Sequence, residues 1–311
     1  MTEASVIIPA RNAAETIGRT LSALADQRYD GEFEVLVVDD ESTDRTREVV
    51  AAAGDERVTV LAGAGGGPAA ARNLGARAAS GRALAFTDAD CFPGEDWLAA
   101  GLHALRSAEL VQGRVLPDPE ASVGPWDRTL WITFEVGLYE TANLFVRREV
   151  FERVGGFEAW LDPATGAPHM GEDVLFGWQA KRLGARSAFC PGALAHHAVF
   201  ARGPGGYVAE RRRLRHFPAI ARKVPELRNH FFWRRVFLTR RSAAFALAAA
   251  SVGAAAAARN PLALAGIAPY ALLQRRERGA APAVAAVDAA ADAVGLAALL
   301  WGSVEARSPL L

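Results

Sequence analysis

The sequence predicts an α/β protein with a doubly wound, mostly parallel sheet, followed by an alanine-rich helical region. Short apolar runs alternate with helix-length segments through the first ninety residues, a pattern typical of parallel sheets. The four runs are near-continuously apolar, as expected for strands covered on both faces: 5–10, 34–40, 58–63 and 83–88. After about residue 225, long stretches of alanine and leucine carry almost no charge. We therefore predict an α/β domain over residues 1–225 and a helical region over residues 226–311.

Start and stop signals mark the helices between these strands. Asn12 followed by Glu15 has the form of an N-cap with its reciprocal partner, which predicts a helix over residues 13–27. Pro68 suits the first turn of the third predicted helix, and Gly81 suits its end. Later predicted elements are a strand at 109–115, a helix at 170–184 and broken β structure at 185–197.

Composition excludes several classes of protein. The 311 residues carry a formal net charge of +0 and 51% hydrophobic residues, which predicts a sizeable core and no nucleic-acid partner. Two cysteines, Cys91 and Cys190, form neither a disulfide framework nor a zinc-site spacing. The first ten residues lack the pattern of a signal peptide, so we expect a cytoplasmic protein.

Polar clusters follow three of the predicted strands, at residues 9–12, 39–42 and 88–90. The carboxyl ends of parallel strands share one edge of a sheet, where ligands bind. Asp88 and Asp90 point to the same side if the strand continues, and two such carboxylates repel each other unless a cation or ligand lies between them. A simple turn is the alternative for this pair. Three clusters at one edge favour a ligand site with a bound cation.

The last third of the chain combines apolar stretches with basic flanks. Residues 242–258 carry no charge and residues 261–273 are short and apolar, whereas a membrane span needs about 20 apolar residues. Asp288 and Asp292 lie one helical turn apart and would be costly in lipid unless paired inward. We expect these helices to associate with a membrane surface, without predicting that they span it. The alternative is a helical subdomain packed on the sheet domain.

Four segments occur in an order that resembles glycosyltransferase family 2, which has the GT-A fold: SVIIPARN, VLVVDDESTD, ARNLGARAASGRALAFTDAD and GEDVLFGWQAKRLG. The resemblance covers about residues 4–200. It implies an inverting enzyme that moves one sugar from a nucleotide-sugar donor to an acceptor hydroxyl, with Mg²⁺ or Mn²⁺ as cofactor. The QxxRW signature of processive relatives is absent from the sequence, which argues against a processive synthase.

The resemblance also assigns metal ligands. Departure of a nucleoside diphosphate builds negative charge, which a hard divalent cation held by oxygen ligands neutralises. Asp90 is implied as the direct ligand, while Asp88 orients the ribose or a metal-bound water. GT-A enzymes often add a histidine to the metal, and adjacent residues on a strand face opposite ways. We therefore favour His196 over His197, with a pair of partly exposed histidines as the alternative.

The donor nucleotide is expected at the ends of the first strands. The resemblance implies that Asp40 accepts a hydrogen bond from the base, that the backbone from Pro9 to Arg11 packs against it, and that Arg72 lies near the donor phosphates. Helix capping by Asp39 and Asp40, and an ordinary surface position for Arg72, are the alternatives.

Glu172 and Asp173 open the helix predicted at 170–184. An inverting transfer needs a base that takes the proton from the acceptor hydroxyl, and the resemblance assigns this role to Asp173, with Glu172 beside it. The alternative is stabilisation of a helix N-terminus by acidic residues. Asn143 matches the loop that the family places near the donor sugar.

Other functions remain open at this point. A dehydrogenase fingerprint fits GAGGGP poorly, because Pro68 occupies the third glycine position and no acidic partner follows at the expected distance. A catalytically inactive GT-A scaffold is the other alternative. The basic, apolar C-terminal third predicts work at the cytoplasmic face of the cell membrane, on a lipid-linked or cell-envelope polysaccharide acceptor.

Overall fold

The computed structural model describes residues 2–160, 170–279 and 281–311. The chain divides into two compact units. The first, here called the sheet unit, is Met1–Val123 with Thr129–Phe200; the second, the helical unit, is Gly124–Arg128 with Ala201–Leu311. The helical unit therefore begins earlier than the boundary predicted near residue 225.

The sheet unit is built on one mixed sheet of eight strands among the described residues. The strands are β1 (Ala4–Ala10), β2 (Phe33–Asp39), β3 (Val58–Ala62), β4 (Ala83–Thr87), β5 (Cys91–Pro93), β6 (Leu110–Pro117), β7 (Asn143–Arg147) and β8 (Ser187–His197). Their order is β3-β2-β1-β4-β7-β6-β8-β5. The first four strands are parallel, and β7 runs antiparallel between β4 and β6. The predicted α/β class and the parallel first half of the sheet are confirmed.

Within its described residues, this unit contains six α-helices: α1 (Ile17–Ala25), α2 (Thr46–Ala52), α3 (Gly67–Ala78), α4 (Trp97–Ala104), α5 (Arg148–Val154) and α6 (Glu172–Arg182). The predicted helix cap at Asn12 is wrong, since α1 begins at Ile17. Asn12 instead adopts a positive φ of 52°, which asparagine tolerates better than most residues. Its Oδ1 accepts hydrogen bonds from the N–H (2.8 Å) and the hydroxyl (3.2 Å) of Thr43. This contact ties the end of β1 to the loop after β2.

Strand register places the polar strand ends side by side. Ala10 lies opposite Asp39, and Asp39 lies opposite Ala62 on the next strand. Val6, Ile8 and their neighbours on the same sheet face are fully buried against α1 and α4. The core therefore fixes β1, β2 and β4 while their carboxyl ends stay at one edge.

The helical unit contains α7 (Pro204–Glu210), α8 (Phe217–Lys223), α9 (Leu227–His230), α10 (Arg240–Ala258), α11 (Ala268–Arg278) and α12 (Pro282–Ala306), with 3₁₀ helices at Arg211–His216 and Pro261–Ile267. The helices α7 and α8 and the first 3₁₀ helix pack on α12. A side chain at Gly302 would place its Cβ 1.9 Å from the carbonyl oxygen of Arg215. This close approach explains why the segment before residue 225 belongs to the helical unit.

Two aspartates of the helical unit have partners inside it. Asp288 is 0% exposed and accepts hydrogen bonds from Gln274 Nε2 (2.9 Å) and Arg278 Nε (3.0 Å). Asp292 accepts hydrogen bonds from Arg241 Nε and the hydroxyl of Tyr270, both at 2.8 Å. The sequence analysis required an inward partner for Asp288 and for Asp292. Both aspartates have such partners within this unit.

The outer surface of the same unit is apolar in several places. Its exposed large side chains include Leu262, Leu272, Trp301 and Val304. By length and composition, α10 and α12 are each apolar enough to cross a membrane, and less than a quarter of each candidate span is buried in the protein. The helical unit thus encloses paired charges and exposes several large apolar side chains.

Candidate active site

Asp88 and Asp90 lie where the chain leaves β4 and turns into β5. The turn is fixed from both sides, because the hydroxyl of Thr20 donates to the carbonyl oxygen of Ala89 (2.9 Å) and the N–H of Ala198 donates to that of Asp90 (2.9 Å). The side chains of Asp88 and Asp90 remain 27% and 25% exposed. Both carboxylates are therefore anchored through the backbone and accessible to a ligand.

Arg72 joins the acidic residues that follow β4 to those that open α6. Its side chain is 6% exposed, with Nη2 2.8 Å from Asp88 Oδ1 and Nη1 3.2 Å from Glu172 Oε1. Burial alone would lower the pKa of this guanidinium, but the charges of Asp88 and Glu172 raise it above its ordinary value. Arg72 is thus no ordinary surface arginine.

His197, rather than His196, lies beside Asp90. In the antiparallel pairing of β5 with β8, His197 is opposite Cys91, and its Nε2 lies 3.5 Å from Asp90 Oδ2. The ring of His196 is directed elsewhere, since its Nδ1 donates to the carbonyl oxygen of Pro117 (3.1 Å). Our preference for His196 is therefore corrected to His197.

The chemistry of this donor set suits a divalent cation. His197 Nδ1 donates to the carbonyl oxygen of Ala198 (2.6 Å), so in the neutral imidazole the lone pair of Nε2 lies on the side of Asp90. The sulfur of Cys91 lies within 4.8 Å of both ligand atoms, but burial, together with the charges of Asp88 and Asp90, raises the pKa of the thiol well above its ordinary value. A carboxylate oxygen and an imidazole nitrogen fit Mg²⁺ or Mn²⁺ better than a protonated thiol does.

The two aspartates at the end of β2 have different contacts. Asp39 forms an ion pair with Arg47 on α2 and accepts from the N–H of Ser42. Asp40 is 4% exposed, and its Oδ2 accepts from the N–H of Gly67 at the start of α3 (2.8 Å). Neither carboxylate caps α2, so the capping alternative is wrong for that helix.

The predicted donor-binding residues before Asn12 lie at the same edge. Pro9 pairs with Val38 in the sheet and is half-buried, and Arg11 is exposed just beyond the end of β1. The amide of Asp40 donates to the carbonyl oxygen of Ala10 (2.8 Å), which joins the ends of β1 and β2. Pro9, Arg11 and Asp40 are thus brought together, as the strand order required.

Asp173 lies at the first turn of α6 in an acidic environment. Burial raises the pKa of its carboxyl well above the ordinary value, and the charges of Glu172 and Glu140 add to this effect. Its Oδ1 accepts from the N–H of Val174 (2.8 Å). A carboxylate with a raised pKa is a stronger base than an ordinary aspartate.

Sequence reasoning missed Glu140 and misplaced Asn143. Burial raises the pKa of Glu140 to about 7, and Glu140 lies in the turn before β7, where no motif marks it. Asn143 is 0% exposed and is committed to structure: Oδ1 accepts from Trp97 Nε1, and Nδ2 donates to the carbonyl oxygens of Arg114 and Ala193, all at 2.8 Å. A contact between Asn143 and the donor sugar does not agree with this burial.

A mixed sheet of this order, with one acidic pair after β4 and another at the start of α6, defines a GT-A glycosyltransferase fold. The sequence profile of the family described as "Glycosyl transferase family 2" matches residues 5–160. That match spans half of the chain. The protein therefore belongs to glycosyltransferase family 2, as its motifs predicted.

Curated relatives agree with this assignment. Glycosyltransferase AglE of Haloferax volcanii is 36% identical over 167 residues, 49% of this chain and 55% of the relative. The Escherichia coli UDP-Glc:alpha-D-GlcNAc-diphosphoundecaprenol beta-1,3-glucosyltransferase WfgD is 40% identical over 100 residues, 32% of this chain and 38% of the relative. The chain thus spans about half, or less, of these two relatives.

Two solved structures share the fold over nearly the whole chain. The mannosyltransferase PcManGT from Pyrobaculum calidifontis, in complex with GDP-Man and Mn²⁺, superposes with a TM-score of 0.60 at 22% identity, covering 98% of this chain and 87% of that one. S. aureus TarS 1-349 in complex with UDP superposes with a TM-score of 0.54 at 20% identity, covering 99% of this chain and 92% of that one.

Proposed function

We propose that the protein is an inverting glycosyltransferase that moves one sugar from a nucleotide-diphosphate donor to an acceptor hydroxyl with the help of a divalent cation. The observation that carries this proposal is the bridge formed by Arg72. One buried guanidinium connects Asp88, which follows β4, to Glu172, which opens α6. A donor-binding carboxylate and the residue next to the candidate base thus belong to one connected cluster.

We assign each side chain of the site a role in this reaction. Asp40 and the backbone from Pro9 to Arg11 bind the nucleoside, and Asp88 orients the ribose. Arg72 carries a positive charge that complements the donor diphosphate. The cation, Mg²⁺ or Mn²⁺, would be held by Asp90 and His197, and when bound it offsets the negative charge of the departing diphosphate.

Asp173 is the proposed base. It accepts the proton of the acceptor hydroxyl as that oxygen attacks the anomeric carbon, and the bond to the diphosphate breaks on the opposite side of the sugar. Burial and the neighbouring Glu172 and Glu140 raise its pKa, which makes the carboxylate better suited to this transfer. Glu172 remains paired with Arg72 and is unsuited to act as the base itself.

The acceptor is proposed to be lipid-linked or a cell-envelope polysaccharide, used at the cytoplasmic face of a membrane. Three features support this. The helical unit encloses paired charges and exposes large apolar side chains. It holds 18 basic and 7 acidic residues, a formal charge of +11 that favours an anionic membrane surface. The name of WfgD describes an acceptor on undecaprenol diphosphate.

The test is hydrolysis of a panel of nucleotide sugars by the purified full chain, with and without Mn²⁺. We expect slow metal-dependent turnover of one donor that is lost in Asp90→Ala. Transfer to an acceptor should be lost in Asp173→Asn while donor binding is retained. The control is Asp96→Asn, an exposed acidic residue before α4, which should behave as the parent does. If no donor binds or turns over under any condition, the protein is an inactive scaffold with the same fold.

A further inference from the structure

The helical unit contains a cavity of about 430 Å³ that the proposed transfer reaction does not use. Part of its lining is apolar and comes from Leu214, Leu238, Phe245, Leu296 and Leu299. Three arginines and two acidic residues also line it: Arg211, Arg240, Arg241, Glu277 and Asp292. Its volume falls within the range of small-molecule sites, about 300–1,000 Å³. The lining thus offers aliphatic contact and an excess of basic over acidic side chains within one small space.

The three arginines differ in the partners that they already have within the protein. Arg241 pairs through Nε with Asp292, and its buried Nη2 lies 3.5 Å from Asp288 Oδ2 without forming a hydrogen bond among the described residues. Arg211 donates to the hydroxyl of Tyr207 (2.7 Å), a neutral partner. Arg240 is exposed at the first residue of α10. A buried guanidinium N–H that forms no hydrogen bond costs free energy that an anionic oxygen at this place would recover.

We propose that this cavity binds one lipid molecule with a phosphate head group. The hydrocarbon chain lies against the leucines, and the phosphate oxygens accept hydrogen bonds from the guanidinium groups of Arg240 and Arg241. Arginine suits this role because its planar N–H groups match phosphate geometry. Two sources have this chemistry: an anionic phospholipid of the bilayer and a polyprenyl phosphate. In the second case the inference rests on the proposed function, since that lipid is the carrier of the acceptor.

The experiment measures equilibrium binding of a fluorescent polyprenyl phosphate to the full chain in neutral detergent. Unlabelled polyprenyl phosphate, phosphatidylglycerol and phosphate-free polyprenol serve as competitors. Leu296→Trp fills the cavity, and Leu300→Trp is its control because Leu300 lies on the same helix and is 49% exposed. Arg240→Gln removes one head-group charge, and Arg276→Gln, an exposed arginine of α11 outside the cavity, is its control.

We expect Leu296→Trp and Arg240→Gln each to weaken binding at least tenfold, and both controls to stay within twofold of the parent. Competition by polyprenyl phosphate alone identifies a carrier site, and equal competition by phosphatidylglycerol identifies a bilayer-lipid site. Either result supports the inference. It is overturned if phosphate-free polyprenol competes equally well, if the parent does not bind, or if Arg276→Gln weakens binding as much as Arg240→Gln does.

Donor hydrolysis separates this inference from the proposed function. Leu296→Trp should retain the metal-dependent hydrolysis of the parent while it loses lipid binding. If the parent hydrolyses a donor and cavity-filling leaves lipid binding unchanged, the inference fails and the transferase assignment stands. If lipid binding responds to these variants and no donor is ever hydrolysed, the inference stands, the competitors still identify the lipid, and the transferase assignment fails.

Discussion

Replacement of Arg72 by methionine should strongly destabilise the sheet unit. The substitution keeps a long apolar side chain but leaves Asp88 and Glu172 without their shared cation in a site where the arginine side chain is 6% exposed. Removal of one partner from a buried ion pair costs about 3–5 kcal/mol. Because Asp88 retains 27% exposure and can recover hydration, we expect the lower end, about 3 kcal/mol.

The assay is thermal unfolding followed by near-ultraviolet circular dichroism, without added metal. For a unit of this size, about 3 kcal/mol corresponds to a fall in the midpoint of roughly 6–12 °C. Addition of Glu172→Gln to Arg72→Met should recover about 1–2 kcal/mol, because one stranded charge is removed. The control is Arg186→Met, which breaks an exposed pair with Glu109 and should leave the midpoint unchanged.

Two results would refute this reasoning. If Arg72→Met shifts the midpoint no more than Arg186→Met does, the bridge contributes nothing measurable to stability. If Glu172→Gln leaves the loss undiminished, the cost comes from packing of the arginine stem rather than from an unpaired carboxylate.

Three further predictions concern the same unit. His197→Ala should weaken Mn²⁺ binding at least tenfold in calorimetric titration, whereas His196→Ala should change it less than twofold; the reverse order would restore His196 as the ligand. Burial disfavours ionisation of Glu140 in the folded state. The protonated carboxyl therefore favours the folded state at low pH, and this stabilisation is lost as pH rises from the ordinary pKa of 4.5 to about 7. Glu140→Gln should therefore raise the unfolding midpoint at pH 8 with little effect at pH 4.5, and should move the acidic limb of kcat/KM to lower pH because the pKa of Asp173 falls. Asn143→Ala should cost about 3 kcal/mol in urea unfolding, since Trp97 Nε1 and two carbonyl oxygens lose their partner; a cost near zero would mean that water replaces the amide.

The apolar runs predicted the first four strands because local composition decides whether a segment can be buried in a sheet. The order of the strands across the sheet was harder to predict from the sequence. Val60 of β3 is 43% exposed because β3 is an edge strand, although its sequence resembles that of the covered strands. The run itself carries no information about which neighbours cover it.

The candidate site was likewise only partly predictable from the sequence. Polar residues at a strand end predicted Asp88 and Asp90 as site residues, since chain order places the ends of the parallel strands at one edge of the sheet. The family resemblance predicted Asp173 at the start of α6. Alternation along β8 showed that only one of two adjacent histidines can face Asp90, but the choice depends on the pairing of β8 with β5. Glu140 could not be found from sequence, because its raised pKa comes from residues that are distant along the chain.

The inward-facing charges of the helical unit have a further consequence. Arg241 and Arg278 carry two positive charges, and Asp288 and Asp292 carry two negative charges, so the cluster sums to zero. A neutral cluster can move from water to a medium of low dielectric constant without transfer of net charge, at far lower cost than a single ion. Any one substitution that removes a charge ends this balance. The proposed association of the unit with a membrane therefore depends on all four side chains together.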